Sequence, residues 1–157
     1  YIMIFSGFGN APAHMSFDRM AEAVDEFAKI SEEEVLVQTG HTQYQFKYAR
    51  TVKFMEHEEL LETIKKASLV ILQGGWGTIA ESVDLGKKVI SIPRRVGQEC
   101  NHPQEEVVRH LEKMGCLIGC YDEKQLPMMV EKSRTFIPKQ LPKGSAKKLL
   151  TEFFDSL

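Results

Sequence analysis

The stretch SLVILQGGWGTIAES, residues 68–82, joins an apolar run to three glycines and then to a segment that suits a helix. Leu69 to Leu72 is apolar throughout, as expected for a strand that is covered on both faces of a parallel sheet. Three glycines lie within Gly74–Gly77, and an acid, Glu81, stands about one helical turn beyond them. A strand, a glycine turn and a helix in this order predict one unit of a wound α/β sheet.

The rest of the chain repeats the alternation of strand and helix. Strands are predicted at residues 2–5, 35–38, 51–55, 69–72, 88–92 and 116–118. Helices are predicted at residues 17–28, 58–67, 78–85, 103–114, 127–132 and 146–154. The pattern predicts an α/β fold with a Rossmann-like, doubly wound parallel sheet over residues 1–135. A linker with two prolines and a glycine follows at 136–144, and a C-terminal helix at 145–157.

Composition limits the classes of partner. The 157 residues are 43% apolar and 27% charged, with a net charge of −2, so we expect no nucleic-acid partner. The longest apolar runs are strand-sized, so we expect neither a signal peptide nor direct membrane insertion. Three cysteines, an odd number, favour a reducing, cytoplasmic location over a disulfide framework.

The spacing of Cys116 and Cys120 also occurs in metal and redox sites. Two buried strand residues are the more common reason for such a pair, because free cysteine packs well in a core. The histidines show no spacing typical of a metal site or a catalytic triad. We therefore expect no metal and no cofactor.

The turn Gly74–Thr78 lies where parallel sheets bind ligands, beyond the carboxyl end of a strand. Glycines allow backbone N–H groups to approach an anion, and the helix N-terminus adds free N–H donors and partial positive charge. Thr78 adds a hydroxyl. This combination predicts a seat for a diphosphate, with Trp76 either shielding the site or packing on a partner.

Glu81 needs a different ligand group, because a carboxylate repels phosphate. The two hydroxyls of a ribose can donate to its two oxygens, so the acid is predicted to bind the sugar of a nucleotide. The alternative is an ordinary surface acid near a helix start, where the helix dipole also favours it.

Two further turns are predicted at the same edge of the sheet. The first strand ends in Gly7 and Gly9, followed by Asn10, and His14 lies in the next loop as a candidate base within the chain. The loop after the strand at 88–92 offers one cation for phosphate and three side chains suited to sugar hydroxyls, namely Arg94, Asn101, His102 and Gln104.

Nearly the whole chain resembles the C-terminal, donor-binding half of family 28 glycosyltransferases, which have the GT-B architecture. The matching segments, in order, are SFDRMAEAVDEFA, VLVQTGHTQY, KFMEHEELLETIKKASLVI, GGWGTIAES, GKKVISIPRR and NHPQEE. The chain is similar in size to stand-alone halves of such enzymes. These are the catalytic subunit of the two-subunit N-acetylglucosaminyl transferase that extends dolichol-linked oligosaccharides, and bacterial exopolysaccharide subunits.

The resemblance implies a UDP-sugar as the donor substrate. It places the diphosphate on the glycine turn, the ribose on Glu81, the uracil against the backbone of Phe54 and Met55, and the sugar near Gln104. The chain departs from the family at Trp76, where a small residue is common. It also departs at His102-Pro103-Gln104, where relatives often have His directly before Gln.

The resemblance further implies an inverting hexosyltransferase that is active together with a second subunit. That subunit would be membrane-associated and would bind a lipid-linked or polysaccharide acceptor and supply the general base. The donor would be UDP-GlcNAc or a related UDP-hexose. The partner would contact the strand-end face and the apolar stripe of the C-terminal helix, Leu149, Leu150, Phe153 and Phe154.

Two other functions fit parts of the pattern. Nucleoside-monophosphate phosphoribohydrolases of the lysine-decarboxylase-like type carry a P-G-G-x-G-T-x-x-E motif, but Gln73 stands in place of the proline. Arg50 and Lys53 do not have the spacing of that family's Arg-Lys pair. A non-catalytic UDP-sugar-binding subunit is the other possibility.

Overall fold

Parallel strands form one sheet at the centre of the molecule, here in a computed structural model that describes residues 3–9, 11–96, 99, 104–139, 148, 151, 152 and 155. Within those residues the strands are β1 (Met3–Gly7), β2 (Glu34–Gln38), β3 (Arg50–Val52), β4 (Leu69–Gln73), β5 (Val89–Ile92) and β6 (Ile118–Gly119). Their order across the sheet is β3-β2-β1-β4-β5-β6, and every adjacent pair is parallel. The strand order reverses at β1 and β4, the point where such sheets bind ligands.

Helices cover both faces of the sheet. They are α1 (Asp18–Ile30), α2 (His57–Lys66), α3 (Trp76–Asp84), α4 (Gln104–Lys113) and α5 (Leu126–Ser133). Side chains alternate along each strand, so the apolar residues divide into two core clusters. One cluster joins the sheet to α2, α3 and α4, and the other joins it to α1 and α5. The prediction of a doubly wound parallel sheet is therefore confirmed.

Two predicted boundaries are wrong at the edge of the sheet that concerns function. The third strand was expected at 51–55, but β3 ends at Val52, and Phe54 and Met55 lie in the loop before α2. The third helix was expected to begin at Thr78, but α3 begins at Trp76. The glycine turn is thus shorter than expected, because Gly77 already belongs to the first helical turn.

The loop that leads to β3 is held by a buried carboxylate in α1. Asp25 is 1% exposed and accepts hydrogen bonds from the backbone N–H groups of Lys47, Tyr48 and Ala49 and from the Tyr44 hydroxyl. Burial raises the pKa of Asp25, but these four hydrogen bonds outweigh it and leave the pKa below its usual value. Burial and the neighbouring Asp25 raise the pKa of Tyr44 to about 12.

A linker at residues 136–144 and a C-terminal helix at 145–157 were predicted from the sequence. Most of the predicted linker and helix, including Leu149, Leu150, Phe153 and Phe154, lies outside the described residues. Among the residues that are described, no helix is both long and apolar enough to cross a membrane.

Candidate functional site

A cavity of about 310 Å³ opens at the carboxyl ends of the central strands. Its sides come from the carboxyl ends of β1, β2 and β4, from the loop before α2, and from the N-terminal halves of α2 and α3. The volume is at the lower end of the range for small-molecule sites.

The structure brings eight of the predicted site residues together around this cavity. They are Gly7, Gly9, Phe54, Met55, Gly75, Gly77, Thr78 and Glu81. The cavity is not lined by His14, Gly74, Trp76, Arg94 or Gln104. Asn10, Asn101 and His102 lie outside the described residues. The grouping is a structural finding, while the donor-binding role of each residue stays a prediction.

The N-terminus of α3 forms one side of the cavity. Its N-cap is Gly75, no side chain caps it, and its first turn contains no acidic residue. The backbone N–H groups of the first turn therefore have no partner within the helix, and they carry the positive end of its dipole. Gly77 and Glu81 are four residues apart, so they lie on the same face of α3.

The glycines of this turn differ in what surrounds them. A Cβ on Gly77 would have no heavy atom of another part of the chain within 4 Å, so the space beside it is open. A Cβ on Gly74 would lie 2.8 Å from Gln104 Cβ and 3.2 Å from Pro93 Cα, so internal packing requires this glycine. Packing is therefore a sufficient reason for Gly74, and its access to an anion stays a prediction, whereas the open space at Gly77 leaves room for a ligand.

The side chain of Gln73 lies between the glycine turn after β1, at Gly9, and the glycine turn after β4, at Gly75. A Cβ on Gly9 or on Gly75 would collide with Gln73 Nε2. Gln73 Oε1 accepts hydrogen bonds from Arg94 Nε at 2.8 Å and from Gln104 Nε2 at 3.1 Å. Gln73 Nε2 has no hydrogen-bond partner among the described residues, so its two N–H groups remain as donors at the cavity.

Arg94 lies behind the cavity and not in it. It is 3% exposed, and its guanidinium donates to the carbonyl oxygens of Phe8, Met15 and Glu99 as well as to Gln73. Its predicted direct contact with phosphate stays a prediction, and the structure gives it a contact that orients the Gln73 amide.

Gln104 has both ends of its side-chain amide engaged within the protein. Its Oε1 accepts from the Arg94 backbone N–H at 2.9 Å, and its Nε2 donates to Gln73. Gln104 therefore supports the end of β4, and its predicted contact with the sugar would require one of these bonds to be exchanged.

Glu81 makes a close contact that the sequence did not indicate. His57 Nε2, in the first turn of α2, lies 3.1 Å from Glu81 Oε2, in the second turn of α3. Both side chains are partly exposed, and both line the cavity. This contact occupies one carboxylate oxygen of Glu81 and leaves Oε1 available to a ligand.

The opposite end of the cavity, away from α3, is apolar. Phe54, Met55 and Leu60 line it. Phe54 is 45% exposed, and its ring meets the ring of His41 edge to face at a centroid distance of 5.2 Å. An aromatic or other flat ligand group suits this end.

Three polar residues at the cavity were not predicted, namely Gln38, His57 and Gln73. Gln38 and Gln73 end strands that point at the ligand edge, and that position is the sequence signal that could have identified them. No local pattern in the sequence indicates His57, because its partner lies 24 positions further along the chain.

A larger cleft, of about 650 Å³, lies at the amino ends of the strands between α1 and α5. Three acids line it, Glu32, Glu33 and Glu131, together with Lys88 and Arg134. The acids disfavour an anionic ligand, and parallel sheets of this type bind ligands at the opposite edge. The smaller cavity is therefore the better candidate.

The cysteine pair is explained by packing. Cys116 and Cys120 are both buried, as predicted, but neither lies in a strand, because β6 is Ile118–Gly119, whereas the strand was predicted at residues 116–118. The two cysteines belong to different core clusters. Burial raises the pKa of both thiols, that of Cys120 to about 11, so both are protonated at neutral pH. Within the described residues, no group of three or more His, Cys, Asp or Glu side chains is arranged to hold a metal ion.

Comparison with known proteins gives a family match and a set of structural neighbours. The model of the glycosyltransferase family 28 C-terminal domain matches residues 9–156. No curated protein sequence matches the chain significantly.

Three solved structures share the fold at low sequence identity. The chain is similar to the glycosyltransferase SnogD from Streptomyces nogalater, with 16% identity, a TM-score of 0.59 and coverage of 95% of this chain and 43% of that one. It is similar to MurG from Acinetobacter baumannii, with 14% identity, a TM-score of 0.56 and coverage of 99% and 52%. The glycotransferase of kitacinnamycin has 17% identity, a TM-score of 0.59 and coverage of 83% and 34%. The chain thus spans about a third to a half of these proteins.

Proposed function

Because the chain belongs to glycosyltransferase family 28, through that family's C-terminal domain, we propose that it binds a UDP-sugar and presents the sugar for transfer. The observation that carries the proposal is the placement of two features on one face of α3. The uncapped helix N-terminus suits a diphosphate, and Glu81, one turn further, suits a ribose.

Two sets of donors and an open space support a diphosphate at the start of α3. The donors are the backbone N–H groups of the first turn of α3 and the Nε2 group of Gln73, which lies beside Gly75, and the space at Gly77 is open. Arg94 fixes the Gln73 amide from behind, so the donors are oriented before the ligand binds. Donors held in this way can also stabilise the charge that develops on UDP as the sugar leaves.

The ribose and the base then extend from α3 towards β3. Glu81 Oε1 accepts from a ribose hydroxyl, while His57 holds Oε2. The uracil lies at the apolar end, against Phe54 and Met55, as the family resemblance implies. The order of phosphate, ribose and base follows the order of the groups across the sheet.

For the reaction, we propose transfer with inversion at the anomeric carbon of UDP-GlcNAc or a related UDP-hexose. The acceptor hydroxyl attacks that carbon, loses its proton to a base and displaces UDP. Of the described residues that line the cavity, His57 and Glu81 can accept a proton, and the proposal uses both to hold the ribose. His14 is exposed and does not line the cavity. We therefore propose that a second, membrane-associated unit supplies the base and binds a lipid-linked or polysaccharide acceptor.

The experiment is a calorimetric titration of the chain with UDP, UDP-GlcNAc, UDP-Gal, UDP-Glc, a GDP-sugar and AMP. The proposal expects saturable binding of UDP and of at least one UDP-sugar, and much weaker binding of the GDP-sugar and AMP. Binding of AMP in preference to UDP would contradict it and would favour a nucleoside-monophosphate hydrolase. Transfer assays on a lipid-linked acceptor, with and without the membrane fraction, then test the need for a second unit.

A further inference from the structure

The side chain of Arg19, in the first turn of α1, joins two loops at the carboxyl edge of the sheet. The first is the β5–α4 loop, of which residues 93–96 and 99 are described, and the second connects β6 to α5. Arg19 Nε and Nη2 donate to the two carboxylate oxygens of Glu99, at 3.0 Å and 3.1 Å. Nη2 also donates to the Pro93 carbonyl at 2.8 Å, and Nη1 lies 3.2 Å from a carboxylate oxygen of Glu123.

Glu99 also folds the β5–α4 loop back on itself. Its Oε1 accepts from the backbone N–H of Arg95 at 2.7 Å, and its own N–H donates to the Arg95 carbonyl. From the other side, the Arg94 guanidinium donates to the Glu99 carbonyl, and the Arg94 backbone N–H donates to Gln104 Oε1. The described part of the loop is therefore fixed twice, by Arg94 to the start of α4 and by Arg19 to α1.

The contacts of Arg19 are largely shielded from solvent. The side chains of Arg19, Glu99 and Glu123 are 16%, 13% and 20% exposed. The guanidinium groups of Arg19 and Arg94 both lie over the ring of Phe17, at centroid distances of 4.8 Å and 4.7 Å. A two-pronged contact between a guanidinium and a carboxylate is strong and directional. It fixes the position of the loop more tightly than an exposed ion pair would.

The β5–α4 loop lies on the side of the cavity towards which the sugar of a bound donor would extend. In the proposed binding mode, the base lies towards β3 and the diphosphate lies at the start of α3, just after β4. In the sheet order, β5 is the next strand beyond β4 on the side away from β3. A group attached to the terminal phosphate therefore continues towards the loop after β5. The described residues of this loop do not line the nucleotide cavity, so the loop is placed for the sugar.

We propose that Arg19 is a positioning residue which, through Glu99, holds the β5–α4 loop where that loop contacts the sugar of the donor. This inference rests on the proposed function, since it presumes that a UDP-sugar occupies the site. Arg19 does not itself line the cavity. Loss of its contact with Glu99 releases the loop and weakens binding of the sugar, while binding of bare UDP is nearly unchanged.

The test compares Glu99→Gln with Glu123→Gln by calorimetry, using UDP and the tightest-binding of UDP-GlcNAc, UDP-Gal and UDP-Glc. Each variant removes one carboxylate from the same arginine, and the two carboxylates are similarly buried. Only Glu99 belongs to the β5–α4 loop, so Glu123→Gln is the matched control. In Glu99→Gln, affinity for the UDP-sugar should fall roughly tenfold, and affinity for UDP should change by less than about threefold. In Glu123→Gln, both affinities should stay within about threefold of the wild type.

A purely structural role of Arg19 gives a different pattern. Both variants would then lower Tm and would change the two affinities alike, and the proposal would be overturned while donor binding stands. The proposal is also overturned if Glu99→Gln keeps the wild-type ratio of the two affinities, or if the wild type binds UDP but no UDP-sugar. If the wild type binds neither ligand, the proposed function fails and this inference fails with it. If Glu99→Gln does not fold, as judged by thermal unfolding, Glu99→Asp serves in its place, because its shorter side chain cannot reach both Arg19 and the Arg95 N–H as Glu99 does.

Discussion

Replacing Gly77 with alanine should make the domain more stable and a poorer binder of UDP. Gly77 lies in the first turn of α3, its φ angle is not positive, and a Cβ placed on it meets no other part of the chain within 4 Å. Alanine in place of a helical glycine stabilises by about 0.5–1 kcal/mol. For a domain of this size, that raises Tm by about 1–4 °C.

The same methyl group would enter the space that we assign to the diphosphate. Forcing a methyl into an occupied site costs about 1–3 kcal/mol, which is roughly a five- to 150-fold loss of affinity. The assay pairs thermal unfolding by circular dichroism with calorimetric titration of UDP.

Gly74→Ala is the matched control for this prediction. Its Cβ would lie 2.8 Å from Gln104 Cβ and 3.2 Å from Pro93 Cα, so Tm should fall. The reasoning is refuted if Gly77→Ala binds UDP with wild-type affinity, because the phosphates would then lie elsewhere. A lower Tm for Gly77→Ala would show that the space beside it is not open.

Three more predictions concern single side chains. Glu81→Ala should weaken UDP binding by roughly 1–3 kcal/mol, as measured by calorimetry. His57→Ala should weaken it by less, and His57→Gln should restore it. If Glu81→Ala binds UDP as tightly as the wild type does, the ribose does not bind to Glu81. Gln104→Ala should reduce sugar transfer far more than it reduces the binding of bare UDP. Equal losses in the transfer assay and in calorimetry would show that Gln104 does not contact the sugar. The pKa of Asp25 is lowered in the folded state, so its contribution to stability is present above about pH 4 and is lost as pH falls through the folded pKa. Asp25→Ala, which leaves buried donors unpaired, should lower the free energy of unfolding by about 2–4 kcal/mol at pH 7 and flatten its decline in acid, as urea unfolding at several pH values can check.

The β4–α3 unit could be predicted because its signals are local. The apolar run from Leu69 to Leu72 predicts a buried strand, and the glycines after it mark the turn at a ligand edge. The spacing of Gly77 and Glu81 places both on one helix face wherever that helix begins, so the error in its start did not affect the site.

The contacts across the sheet edge could not be predicted, because they depend on tertiary structure. Arginine is rarely buried, so the sequence favoured an exposed, phosphate-facing Arg94. Instead, Arg94 is surrounded by the carbonyl oxygens of Phe8 and Met15, which are distant in sequence, and of Glu99 in its own loop. The pairing of His57 with Glu81 requires two helices to begin side by side. The position of Gln38 at the end of β2 can be predicted from the sequence, but its burial depends on how β2 packs in the sheet.

The central claim is that UDP binds at the start of α3 with its base towards β3. Titration of the ¹⁵N-labelled chain with UDP, followed by two-dimensional NMR, tests it most directly. The account predicts the largest shift changes at the backbone amides of Gly75, Gly77 and Thr78 and at the side-chain amide of Gln73. Saturable shifts centred on the cleft at the amino ends of the strands, around Ser31, Ser68 and Lys88, would contradict it.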